Sequence, residues 1–160
     1  MIKLIPMSQE EYEPFMTISM HTQAQDQVKA GLLKADEADA KIAALGKKLL
    51  PEGLHTPNHH FFTLEDGETK QKVGALWYTI IEQDGIRMFF VMDILVNPEY
   101  RRHGYASQAF AEMEAKALDM GITRIALNVF DHNAPAIAMY EKLGYVGPHD
   151  FMVLDLTTRG

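Results

Sequence analysis

Arg101, Arg102, His103, Gly104, Tyr105 and Ala106 follow one another between an almost wholly apolar stretch, Met88 to Val96, and a stretch with apolar residues at helical spacing, Gly104 to Met120. Backbone N–H groups at the start of a helix have no partner within it, and the helix dipole favours negative charge there. A glycine removes the Cβ that would hold a ligand away, the small Ala106 permits close packing, and two arginines add charge-assisted donors. The chemistry that suits such a loop is the binding of a pyrophosphate. The same residues also fit a basic turn that opens an ordinary helix. Asp93 is a carboxylate inside the apolar stretch. Burial without a partner pushes its pKa up, toward that of a useful base, while a structural aspartate satisfied by N–H groups or a cation fits equally. Strand alternation places it on the face of Phe89, Val91 and Leu95. Tyr140, on residue type alone, is an amphipathic tyrosine packed on a sheet with its hydroxyl wet. Asn133 stands where an N-cap belongs.

The elements that must position these residues are legible in outline. Met1 to Ile5 reads as a strand. Ser8 and Glu11 have capping-box spacing and open a helix that Pro14 should kink or shorten. A second helical region covers Thr22 to Leu33. Asp36 can cap a third, in which Ala38, Ile42, Leu45 and Leu49 recur at helical spacing, and Pro51 and Gly53 end it. His60 to Leu64 and Val73 to Ile81 read as strands split by a turn from Glu65 to Thr69, and Asp84-Gly85 marks a hairpin. Met88 to Val96 has the look of a strand buried on both faces, stopped by Asn97-Pro98. A helix from Gly104 to Met120, a strand from Ile125 to Phe130, a helix from Ala134 to Leu143 and one or two short strands within Tyr145 to Leu156 complete the chain. Strand–helix–strand order in the second half implies parallel pairing, and the hairpin before it implies antiparallel pairing, so the sheet should be mixed.

Bulk composition bounds the function. The chain of 160 residues is long enough for one domain and hardly for two. With 47% hydrophobic and 23% charged residues it matches an ordinary globular protein. A formal net charge of -7 argues against a nucleic-acid partner, which calls for a positive surface, and is compatible with a cationic ligand. The absence of cysteine excludes disulfides, thiolate catalysis and cysteine-based metal sites. No apolar run reaches the length of a membrane span and the N-terminus lacks the pattern of a signal peptide, so a cytoplasmic protein with no membrane role is expected.

The segment ILVNPEYRRHGYA resembles the acyl-CoA signature of the GNAT superfamily of N-acetyltransferases, whose loop reads Arg/Gln-x-x-Gly-x-Gly/Ala; Arg101, Gly104 and Ala106 fill its defining places. The second half of the family pattern follows at the expected distance, with Asn133 and then Ala138-Met139-Tyr140-Glu141-Lys142-Leu143-Gly144-Tyr145. The matching stretch, Val91 to Tyr145, covers roughly a third of the chain. The resemblance implies an α/β (α+β) fold in one domain: a mixed, mostly antiparallel sheet of about six to seven strands, flanked by helices and splayed at an acyl-CoA cleft. It implies that acetyl-CoA is the cosubstrate. Its pantetheine arm would pair with backbone groups of Ile94, Leu95 and Val96, and its pyrophosphate would sit on Arg101, Arg102, His103, Gly104, Tyr105, Ala106 and Ser107. Asn133 and Tyr140 would lie near the thioester.

Acetyl transfer to an amine then sets physical requirements. An alkylammonium has a pKa of about 10.4, so only about one molecule in a thousand is neutral near pH 7, and a base or a desolvating site is needed. Asp93 is the candidate base, beside the alternative of an ordered water chain. The oxyanion calls for a backbone N–H beside Ile94 to Val96. The leaving thiolate must be protonated; with the family match Tyr140 becomes the candidate acid, since a phenol can donate within a hydrogen bond. The acceptor expected is a primary amine of a small molecule. A protein or peptide amine is the alternative within the enzyme class, and a non-catalytic acyl-CoA sensor the alternative outside it. No metal is expected: His59 and His60, adjacent on a strand, point to opposite faces and His55 adds no clear third ligand. Asp131 and His132 either border the acceptor site or form a solvated loop, and the loop is the preferred reading. The helices from Ser8 to Leu50 are where acceptor specificity should lie, and a homodimer is compatible with the family.

Overall fold

The computed structural model describes residues 1–158. Among them six strands form one sheet in chain order: β1 (Ile2–Pro6), β2 (His59–Asp66), β3 (Lys72–Gln83), β4 (Ile86–Val96), β5 (Arg124–Leu127) and β6 (Met152–Asp155). All neighbours pair antiparallel except β4 and β5, which are parallel and joined by α3 (Tyr105–Asp119). The mixed sheet therefore follows from the hairpin at Asp84-Gly85 and the crossover after it. Helices α1 (Gln9–Lys29) and α2 (Ala38–Leu49) lie in the first half, and α4 (Ala134–Lys142) joins β5 to β6. The final stretch holds one strand, β6, and a single bridge between Val146 and Val153.

Two of the expected helices are one. Ser8 and Glu11 form both halves of a capping box, and α1 then runs 21 residues through Pro14. Pro14 removes only the bond to the carbonyl of Glu10, and both residues are exposed, so water satisfies that carbonyl. Asp36 does not cap α2; its N-cap is Glu37, whose carboxylate instead accepts from the N–H of Lys34.

One face of the sheet, with Leu64, Leu76, Tyr78, Phe89 and Val91, packs against Phe110 and Met113 of α3 and Tyr140 of α4. The other, with Phe61, Ala75 and Trp77, packs against Tyr12 and Phe15 of α1. In β4 the alternation between these faces is broken. Trp77 pairs with Asp93 while Tyr78 pairs with Val91, so Met92 is an extra residue on β4. This bulge corrects the expected facing of Asp93. Phe89 and Val91 face α3 and α4, whereas Met92 and Leu95 pack with the α1 cluster and Asp93 bonds to α1. The bulge also ends the pairing with β5, which covers only Phe89 with Ile125, Phe90 with Ala126 and Val91 with Leu127. Strand β5 accordingly stops at Leu127, short of the expected Phe130. Met88, Phe89 and Val91 are buried, but Met92 to Val96 are only half-buried, because no strand lies beside them on the β5 side. The expectation of burial on both faces thus holds for the first part of β4 alone.

Beyond the bulge β4 keeps its pairing with β3, where Gly74 stands opposite Val96. A Cβ at Gly74 would collide with the carbonyl oxygen of Leu95. Gly74→Ala is expected to push β4 away at a loss of about 1–3 kcal/mol. In thermal unfolding this appears as a fall of several degrees in Tm. An unchanged Tm would show that the two backbones have room to spare.

Candidate active site

The loop after β4 begins with a short turn, Pro98–Tyr100. Arg101 donates from Nε to the carbonyl of Val96 at 3.1 Å, so the arginine is folded back on the end of the strand. Arg102 and Gly104 both adopt left-handed conformations, with φ of 67° and 75°. Gly104 is the N-cap of α3 and no side chain caps that helix. The first helical bond there is Gln108 N–H to the carbonyl of Gly104, at 3.1 Å, which leaves the N–H groups of Tyr105, Ala106 and Ser107 without a helical partner. A left-handed glycine and an uncapped first turn together present backbone donors to an anion. Tyr105 is fixed by donating to Asp66 Oδ2 at 2.7 Å. His103 stacks on Tyr105 with ring centroids 5.6 Å apart, and its Nδ1 lies 3.0 Å from the carbonyl oxygen of Tyr100.

Ile94, Leu95, Val96, Arg101, Arg102, Gly104, Tyr105, Ala106 and Ser107 line one cavity of about 490 Å³. His103 is not on its wall. Asn97 donates to the carbonyl of Val73 on β3. By alternation the N–H groups of Ile94 and Val96 point the other way, into the gap left by β5. Asn133 and Tyr140 lie in a second cavity of about 270 Å³, together with Asp93. Asp93, Ile94, Val96, Ala106, Met139 and Thr22 border both, so the two are parts of one cleft. Asn133 is the N-cap of α4, accepting from the N–H of Ala136 at 3.4 Å.

Asp93 lies where the two cavities join, and Tyr140 lines the second of them, near enough to feel its charge. Tyr140 is buried, edge-on to Phe110 and Tyr145. Burial, and then the charge of Asp93, push its phenol up to about 12. Burial also raises the carboxyl of Asp93 above the usual carboxylate range; the hydroxyl of Ser19 and the N–H of Ile94 oppose this, and Asp26 adds to it. Ser19 Oγ donates to Asp93 Oδ2 at 2.6 Å.

A third cavity, of about 550 Å³, continues beyond Asn128, Val129 and Phe130. Asp131, His132, His149 and Asp150 border it; Asp131 and His132 are exposed, as expected of a solvated loop. His132 bonds Asp26 of α1 at 3.0 Å and His149 bonds Asp131 at 2.6 Å. A larger cavity of about 610 Å³ lies between α1 and α2, the helices expected to carry acceptor specificity, and holds none of the candidate catalytic or cofactor-binding residues. His59 and His60 do diverge: Nδ1 of His59 accepts from Trp77 Nε1 at 3.0 Å, and His60 stacks on Tyr78 on the other face.

Ser19, Thr22, Asp26 and Met139 were not expected at the cleft. Ser19 had a signal in the sequence, a polar residue at helical spacing from Tyr12 and Phe15 on a buried stripe. Asp26 and Thr22 had none, because their approach to β4 depends on α1 continuing past Met20 as one helix.

Residues 20–145 match the family model of the acetyltransferase (GNAT) family, and the chain belongs to that family. It is an acyltransferase of the N-acetyltransferase class. A Bacillus subtilis (strain 168) chain named as an uncharacterized N-acetyltransferase, YycN, is 36% identical over 144 residues, covering 90% of this chain and 92% of that one. The crystal structure of YycN matches with a TM-score of 0.86 over 92% of this chain and 94% of the other, at 34% identity. A pig (Sus scrofa) thialysine N-epsilon-acetyltransferase is 36% identical over 70 residues, 44% of this chain and 41% of its own. The fold is shared with a spermidine N-acetyltransferase from Vibrio cholerae in complex with CoA and spermine. That match has a TM-score of 0.68 at 16% identity and covers 98% of this chain and 96% of the other.

The raised carboxyl of Asp93 bears on stability. Below the ordinary carboxylate pKa both folded and unfolded chains hold the proton. As pH rises above it the unfolded chain ionises first, so the desolvated carboxylate costs stability at neutral pH. Asp93→Asn, which keeps an acceptor for Ser19, should raise Tm at pH 8 by about 2–4 °C for each kcal/mol relieved, with the gain shrinking toward pH 4. Equal melting at both pH values would mean the carboxylate is not desolvated.

Proposed function

We propose that this chain, as one domain, transfers the acetyl group of acetyl-CoA to a primary amine of a small cationic molecule by direct attack in a ternary complex. The observation that carries this is the junction at Asp93 and Tyr140. One arm of the cleft leads from it to the uncapped start of α3, and the other to the cavity bordered by Asp131 and Asp150. The residues fit acetyl-CoA. Backbone donors of Tyr105, Ala106 and Ser107, with Arg101 and Arg102, receive the pyrophosphate. The N–H groups of Ile94, shared with the Asp93 carboxylate, and of Val96 face the pantetheine amides and the negative charge that grows on the thioester oxygen. The third cavity, where the Asp26–His132 contact ties α1 to the segment before α4, has the carboxylates of Asp131 and Asp150 on its border, which suits a cationic amine.

The proton balance is as follows. The ammonium must lose two protons overall: one goes to solvent and one ends on the thiol of CoA. Asp93 receives a proton from the attacking nitrogen as the N–C bond forms. Tyr140 gives its proton to sulfur as the C–S bond breaks, and regains one through Asp93. A phenol at about 12 is a weak donor to a thiolate of pKa about 8.5. Part of that elevation comes from the charge of Asp93, and it disappears once Asp93 is protonated. The acid thus strengthens when the amine has delivered its proton.

Thiol release from acetyl-CoA against polyamines, aminoglycosides, amino acids and short peptides tests this directly, since the protein has no cysteine to give background. One class of small amine should support release, and Tyr140→Phe should lower turnover by about 10²–10⁴-fold. Release with peptides alone would shift the acceptor to a protein amine; binding with no release by any amine would leave a sensor. Acetyl-CoA at a hundredfold over its Kd should stabilise the fold by about 2.7 kcal/mol. That is a rise of roughly 5–10 °C in Tm. Gly104→Glu, which places a carboxylate at the phosphate site, should abolish the rise; a full rise in that variant would contradict the placement.

A further inference from the structure

We propose that Ser19 is a positioning residue of the reaction. From α1 its hydroxyl holds the Asp93 carboxylate ionised and turned to the cleft, an assignment that rests on Asp93 being the base. Ser19 is a buried polar residue on the face of α1 that otherwise buries Tyr12, Phe15 and Ala24. Its hydroxyl donates to Asp93 Oδ2 at 2.6 Å across 74 residues of chain. A short bond of this kind has the length of a hydroxyl donating to a charged carboxylate. It engages Oδ2, one of the two carboxylate oxygens. The bulge at Met92 is what turns Asp93 toward α1, so the pair exists only because the alternation of β4 is broken. The helix that carries Ser19 also lines the cofactor arm through Ile18 and Thr22 and the acceptor arm through Gln23 and Gln27. Besides burial, few groups set the charge state of Asp93. Asp26 of α1 and Tyr140 of α4 interact with it electrostatically. His132 stands behind Asp26, and Arg101, Arg102, Tyr100 and Tyr105 lie further along the cleft. Ser19 and the N–H of Ile94 are the hydrogen-bond donors that favour the ionised form. Without Ser19 the carboxylate would hold its proton to higher pH and lose the anchor that fixes its rotamer.

The test is a ¹³C NMR titration of aspartate-labelled full-length protein, with the Asp93 carboxyl signal identified by its loss in Asp93→Asn. Ser19→Ala, a change that a helix interior tolerates, should raise the Asp93 midpoint by about one to two pH units. Ser19→Thr, which restores a hydroxyl, should bring it back to within about half a unit of wild type. With an amine that supports thiol release, the ascending limb of kcat/KM should move by the same amount in Ser19→Ala while KM for acetyl-CoA stays unchanged. A midpoint in Ser19→Ala equal to that of wild type overturns the proposal, whatever the turnover. A midpoint that moves while Asp93→Asn turns over normally overturns the base assignment instead, and the catalytic meaning of Ser19 with it.

Discussion

Strands β4 and β5 stay in register for three residue pairs and then part, at the point where Met92 is inserted into β4 against β3. Most of the candidate site depends on that parting. A bulge adds one residue to one strand, increases local twist and reverses which face each later side chain meets. Here it does three things together. It frees the β4 edge from Ile94 to Val96 on the side away from β3. It moves Asp93 from the layer under α3 and α4 to the layer under α1. It also leaves Tyr140, carried by α4, facing a gap rather than a continuous sheet. Gly74 is the matching concession on β3, since a side chain there would prevent β4 from staying paired beyond the bulge.

The gap would be a defect in a sheet with no ligand, because unpaired strand edges leave donors and acceptors unsatisfied. Its depth also makes the electrostatics of the site. Asp93 and Tyr140 are withdrawn from water enough that each disfavours its charged form, and the charge of Asp93 makes ionisation of Tyr140 harder still. Such a pair suits a reaction in which one proton arrives as another leaves. At the far end of the same cleft the polarity reverses: Arg101, Arg102 and the dipole of α3 supply positive potential where a pyrophosphate would lie. The chain's overall negative charge thus conceals one local positive site.

Much of this could be read from residue order. The turn between β4 and α3 was legible because the strand, the glycine and the helix start are all local signals, and each lay where expected. The parallel crossover, the hairpin at Asp84-Gly85 and the N-cap at Asn133 were legible for the same reason. The bulge was not. Nothing in FFVMDILV distinguishes a regular strand from one with Met92 inserted, because both faces of β4 are lined with apolar residues and the usual alternation carries no information. The error over the face of Asp93 follows directly, and with it the failure to anticipate Ser19. Pro14 misled for a different reason: the cost of a missing N–H depends on whether water reaches the orphaned carbonyl, which is a property of the fold.

The central claim is that the parted edge of β4 and the uncapped turn of α3 together receive acetyl-CoA. Amide hydrogen exchange with and without saturating acetyl-CoA tests it most directly. Binding there should slow exchange at Ile94, Val96, Tyr105, Ala106 and Ser107, with little change in the cavity between α1 and α2. Exchange unaltered at those five amides, or slowed instead along the α1–α2 cavity, would contradict it.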